Sequence, residues 1–97
     1  MIHELKSHPI PFRDVINGIK KYEIRVDDRD FRVGDVLMLL EWFPDLQKYS
    51  GATVSCGVLH KTPGGAWGLP PEICVLGIEV LPHDSLHPKW AYKAREV

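Results

Sequence analysis

Long hydrophobic runs are missing from this chain. Nothing in it approaches the roughly 20 apolar residues that a bilayer-spanning helix needs, and Met1 to Pro11 has no apolar block of the kind that directs secretion. A cytoplasmic protein with no membrane partner is therefore expected. Cysteine is scarce as well: Cys56 and Cys74 are the only two. Each lies in an apolar, strand-like run, and they lack the CxxC spacing of zinc and redox sites, so buried free thiols are expected. The five histidines, His3, His8, His60, His83 and His87, form neither an HxH nor an HxxxH pattern. These spacings predict no metal and no other cofactor. An excess of one charge is lacking too. Twelve Lys and Arg face thirteen Asp and Glu, for a formal net charge of −1. That balance argues against strong sequence-blind binding of duplex DNA, whose affinity comes from many phosphate contacts by a basic surface. A small or single-stranded ligand is compatible with it. Internal repeats and low-complexity tracts are absent.

What is present suits one folded unit. With 97 residues, 44% hydrophobic and 26% charged, the chain has the composition of a globular domain. It can hide about two thirds of its unfolded surface without disulfides or metal. Residues 1–81 read as the domain and 82–97 as a tail or a docked short helix, with Pro88 able to start that helix.

Along the chain, Ile2 to Lys6 alternates as a short strand. The prolines of Ser7-His8-Pro9-Ile10-Pro11 stop it and suit the first turn of a helix. Phe12, Val15, Ile16 and Ile19 form one apolar stripe of that helix, and Gly18 is its left-handed stop. From Lys21 the period becomes two. Tyr22, Ile24 and Val26 read as the packed face, Lys21, Glu23 and Arg25 as the charged one. Asp27 to Asp30 is a turn by composition, with Phe31 and Val33 expected to plug back into the core. Val36 to Trp42 is apolar on both faces, the most buried strand. A hairpin loop from Pro44-Asp45, closed by Tyr49-Ser50-Gly51, leads to a returning strand, Thr53 to His60. Its Val54, Cys56 and Val58 lie on one side. Lys61 to Pro71 carries three glycines and three prolines and reads as a surface loop. Trp67 in its middle either folds down as packing or waits for a ligand to stack on it. Ile73 to Leu81 is the last strand. Five or so strands, one early helix and long loops point to a small α+β fold, a partly closed β-barrel.

Charge is densest between Asn17 and Asp35. Lys20, Lys21, Arg25, Arg29 and Arg32 meet Glu23, Asp27, Asp28, Asp30 and Asp35 there, so the segment is neutral overall. Lys20 and Arg25 bracket Glu23 within a few residues. Two cations so placed can hold a phosphate or carboxylate while the glutamate orients the arginine, whose planar fork suits the task. Alternatively, a partly desolvated lysine acts as general base or nucleophile, and a plain surface ion-pair network is the third way to read the spacing.

Gly18-Ile19-Lys20-Lys21-Tyr22-Glu23-Ile24-Arg25 also fits the pattern GxKxxExR of the ASCH domain, a relative of the PUA domain. His3-Glu4-Leu5-Lys6, Arg29-Asp30-Phe31 with Val33-Gly34-Asp35, Leu39-Leu40-Glu41-Trp42 and Val75-Leu76-Gly77-Ile78 follow in the order of one branch. Together they resemble the DUF3850 branch of the ASCH/PUA-like superfamily, found in bacteria and phages, over most of residues 1–81. The resemblance implies a PUA-like β-barrel with a cleft beside the helix, lined by Gly18, Lys20, Glu23 and Arg25, and a role in RNA binding. Some small ASCH proteins are amidohydrolases on a modified cytidine and use the lysine with a threonine. This chain has Glu23 at the place of that threonine.

The leading expectation is a module for RNA or a nucleotide-like ligand. Lys20 and Arg25 contact phosphate or a base edge, Glu23 holds Arg25, and Trp67 is the stacking surface. A hydrolase on a modified nucleoside or RNA, with Lys20 as catalytic base or electrostatic anchor, is the alternative. A third reading is a phage or host regulator that meets a protein partner through the Trp67 loop or the Trp90 tail.

Overall fold

The structure, a computed structural model, describes residues 1–82. The expected tail or helix over 82–97 therefore lies outside the described residues, apart from Pro82. Alternation makes β1, Ile2–Ser7, a strand whose His3, Leu5 and Ser7 face inward. Two prolines then open α1, Pro9–Ile16, in its first turn, where missing amide donors leave no helical bond unmade. The remaining strands are β2, Tyr22–Val26, β3, Val36–Phe43, β4, Lys48–Thr62, and β5, Ile73–Val80. They form one sheet in the order β1-β3-β4-β5-β2, parallel between β1 and β3 and antiparallel elsewhere.

At 15 residues, β4 is long enough to serve two partners. Its first part pairs with β3 and its last part with β5, with irregularities at Leu40/Trp42 and Val58/His60. Such bulges bend and twist a ladder. The sheet curls into a half-barrel whose edge strands, β1 and β2, each have a single strand partner among the described residues. Phe12 and Val15 of α1 fill the concave side, packed with Leu5, Phe31, Leu37, Leu39, Val54, Cys56, Val58, Cys74, Leu76 and Ile78. Both cysteines are free and buried. Burial pushes the Cys56 thiol up to about 12, with the Glu23 charge adding to it, and raises Cys74 as well. No helix among the described residues is long and apolar enough to cross a membrane.

Several expectations are corrected. Tyr22, Ile24 and Val26 are exposed, whereas Glu23 is 3% exposed, so β2 presents its charged face inward. The register explains this, because Glu23 lies opposite Leu76 and Arg25 opposite Cys74, both inward residues of β5. Ile16 and Ile19 are exposed rather than core: the helix ends at Ile16, and Gly18 turns the chain away before the stripe completes. Val33 is exposed beside the Gly34 turn, and only Phe31 enters the core. The hairpin loop closes earlier than expected, since β4 already begins at Lys48. Trp67 does not pack. It is 94% exposed at the apex of a tight turn, where Gly65 donates to the Leu69 carbonyl at 3.1 Å and Ile73 to that of Pro70 at 3.1 Å. Gly64 has to be glycine, because a Cβ would sit 1.9 Å from the Pro71 carbonyl oxygen.

The acidic turn has a structural task. Asp35 accepts from His3 Nε2 at 2.8 Å and from the Arg32 backbone N–H at 3.0 Å, which ties the turn to β1 and sets the His3 ring edge-on to Phe31. A carboxylate only accepts, so Nε2 is the donor of the His3 bond. The hydrogen bond from His3, with that of Arg32, lowers the Asp35 carboxyl from 3.8 to about 2 against the opposing effect of burial. A lowered carboxyl stabilises the fold above its unfolded value, and that contribution disappears as pH falls towards the folded one. Urea midpoints taken from pH 5 down to pH 2 should therefore fall more steeply below pH 4 in wild type than in Asp35→Asn. Parallel curves would contradict this role.

Candidate functional site

The path into the site starts at the end of α1. Gly18, at φ 74°, is in the left-handed region that glycine reaches without a Cβ clash. Its N–H donates to the Val15 carbonyl at 3.1 Å, and that of Ile19 reaches the Asp14 carbonyl at 2.9 Å. These two bonds make a Schellman stop. The Lys20 N–H shares the Asp14 carbonyl at 3.0 Å, which fixes where the lysine leaves the helix end. Glycine and lysine two residues apart thus act as one positioning device.

Lys20 and Arg25 converge on Glu23. The Glu23 Oε1 accepts from Arg25 Nε at 3.1 Å and from Nη2 at 2.8 Å. Its Oε2 accepts from Lys20 Nζ, which also donates to the Tyr22 carbonyl and lies 4.8 Å over the Tyr22 ring. Arg25 Nη2 reaches across to the Lys6 carbonyl at 2.8 Å, spanning the gap between the two edge strands. Glu23 keeps 4% of its side-chain surface in solvent, Lys20 17% and Arg25 21%. The carboxylate is therefore buried with both oxygens satisfied, and its two cations reach the surface above it. Arg25 uses three of the five N–H donors of a guanidinium and Lys20 two of the three of an ammonium. The rest have no partner among the described residues.

These side chains line a cleft of about 310 Å³ between β1 and β2, with Lys6, Ser7, His8 and Pro11 on its other wall. Sequence reasoning missed that second wall, as well as Tyr22 on the cleft's rim. The prolines hinted only at a strand end, and no local pattern brings residues 6–11 opposite β2. Of the predicted residues, Lys20, Glu23 and Arg25 meet. Gly18 instead borders a separate hollow on the far side of Lys20, with Lys21, Leu59 and Val80. Trp67 lines neither. Among the described residues no three His, Cys, Asp or Glu side chains cluster in a way that would hold a metal. Chemically, the cleft offers spare cationic donors, an aromatic ring and no exposed carboxylate.

Fold and site define a small α+β half-barrel with a cationic cleft at its open seam. A family model described as "Domain of unknown function (DUF3850)" matches residues 2–78, and the chain belongs to that family. It is also similar to "Uncharacterized 12.9 kDa protein in GpA 3'region" of Escherichia phage P2, 35% identical over 66 residues, or 68% of this chain. The matched stretch spans 59% of that relative's length.

Two substitutions probe the assembly. Gly18→Ala should cost about 1–2 kcal/mol for a left-handed residue with a Cβ, lowering Tm by several degrees, while Gly18→Asn costs less. An unchanged melting curve for the alanine would exclude the Schellman stop as a constraint. Glu23→Ala leaves two cations facing each other without their carboxylate. It should lose about 2–4 kcal/mol in urea unfolding, towards the lower side of what broken buried pairs show because both cations keep some water.

Proposed function

We propose that the cleft binds RNA or a nucleotide-like ligand, and that this domain belongs, through its GxKxxExR segment, to the wider ASCH/PUA-like superfamily. The observation that carries the reading is the set of spare Lys20 and Arg25 donors held by a buried carboxylate at the mouth of the cleft. Such donors are already positioned when an anion arrives, so little side-chain ordering opposes binding. Phosphate suits them, because arginine presents a planar fork and lysine a point charge. The Tyr22 ring, 46% exposed, takes the stacking role that Trp67 is too remote to play. A reducing cytoplasmic setting agrees with two buried, unpaired thiols.

Binding is favoured over hydrolysis by the same contacts. Lys20 Nζ is engaged as a donor to Glu23 and the Tyr22 carbonyl, and the Cys56 thiol is buried in the core and pushed up to about 12.

Removing only the cations would strand Glu23, so the test replaces the whole triad by side chains of similar volume, a change that folds commonly tolerate. Lys20→Met/Glu23→Leu/Arg25→Met should melt near wild type yet lose at least about tenfold in affinity for a fluorescent single-stranded RNA 8-mer, as expected when two charge-assisted contacts of about 1.5–3 kcal/mol each are removed. Equal affinity of the folded variant and wild type would overturn the reading. Mass analysis of the RNA after incubation should show it intact.

A further inference from the structure

The cleft does not end at Arg25. A second hollow of about 360 Å³ adjoins it, lined by Glu4, Lys6, Arg25, Arg29 and Tyr49 among others. Lys6 and Arg25 belong to both walls, and the Arg25 guanidinium, bonded to the Lys6 carbonyl at 2.8 Å, is the saddle between them. Arg29 follows the same geometry one step along, with Nη1 3.4 Å from the Glu4 carbonyl. The Lys6 ammonium lies 3.9 Å over the Trp42 ring, and Tyr49 stands edge-on to Trp42 at 4.8 Å, 45% exposed.

We propose that the two hollows form one trough for a single-stranded RNA segment of at least two nucleotides, the first phosphate on Lys20 and Arg25, the second on Lys6 and Arg29, a base on Tyr49. This rests on the nucleotide reading above and extends it to a ligand length. Each hollow pairs a cation with an aromatic ring: Lys20 with Tyr22 in the first, Lys6 with Tyr49 in the second, at 4.8 and 6.0 Å from ammonium to ring centre. A nucleic acid strand repeats the matching pair, one anion and one π-face per unit. An acidic peptide repeats the anion alone. Charge agrees, since Lys6, Lys20, Arg25 and Arg29 outnumber Glu4, Glu23 and the Asp28 carboxylate that pairs with Arg29 at 3.4 Å. Neither the composition nor any local motif marks this second half, because residues 4–6, 29 and 49 meet only through the curl of the sheet.

The test compares adenosine 5′-monophosphate with the 5′-phosphorylated diadenylate pApA by calorimetric titration of the full chain. The dinucleotide should bind about tenfold tighter or more, the gain expected from one further stacked base. Its salt dependence should be steeper by about 0.7 in log–log slope for the added phosphate contact. Arg29→Gln/Tyr49→Leu, at two residues that line only the second hollow, should remove most of the pApA gain and leave monophosphate binding as in wild type. Wild-type slopes decide the matter even if that variant folds poorly. Monophosphate binding without a dinucleotide gain overturns the trough and leaves the cleft reading standing. Binding of neither overturns both, and equal competition by tetraglutamate overturns the nucleic acid assignment.

Discussion

Glu23 is a charged side chain turned into the concave face of the sheet, opposite Leu76 and close enough to the Cys56 thiol to help raise it. A lone carboxylate placed there would cost several kcal/mol. Three donated hydrogen bonds, two from Arg25 and one from Lys20, offset that cost. The dependence runs both ways, because the two cations would otherwise repel each other across a narrow cleft. One carboxylate thus converts a repulsive pair into a cationic surface with fixed geometry. The wall of the cleft, the direction of β2 and the position of the α1 stop all serve that contact.

The backbone supplies the accuracy. A Schellman stop at Gly18 and the shared Asp14 carbonyl hold the lysine from one side, and the ladder with β5 holds the glutamate and arginine from the other. Sites carried on regular elements are held more closely than sites on loops. Trp67, 94% exposed on the turn between β4 and β5, has no such support.

The strands were largely legible from period and composition, and β3 in particular, because apolar residues on both faces have few other solutions. The facing of β2 was not. A period of two separates two faces but does not say which turns inward, and the apolar rule fails where an edge strand lines a polar cleft. Periodicity alone sent Glu23 and Arg25 to solvent. Their meeting with Lys20 was anticipated through the resemblance to a known pattern. Lys6, Tyr49 and the His3–Asp35 pair left no local trace, since each depends on strands far apart in the chain lying side by side.

Open sheet edges are templates on which foreign strands can build, and a half-barrel has two of them. Here the outer carbonyls of β1 at Glu4 and Lys6 already accept from Arg29 and Arg25. An incoming strand would have to displace two guanidinium groups, one of them anchored to a buried carboxylate. The arginines that line the hollows are thus also the groups that cap this edge. A chain that gave up these arginines would bare two backbone acceptors along β1.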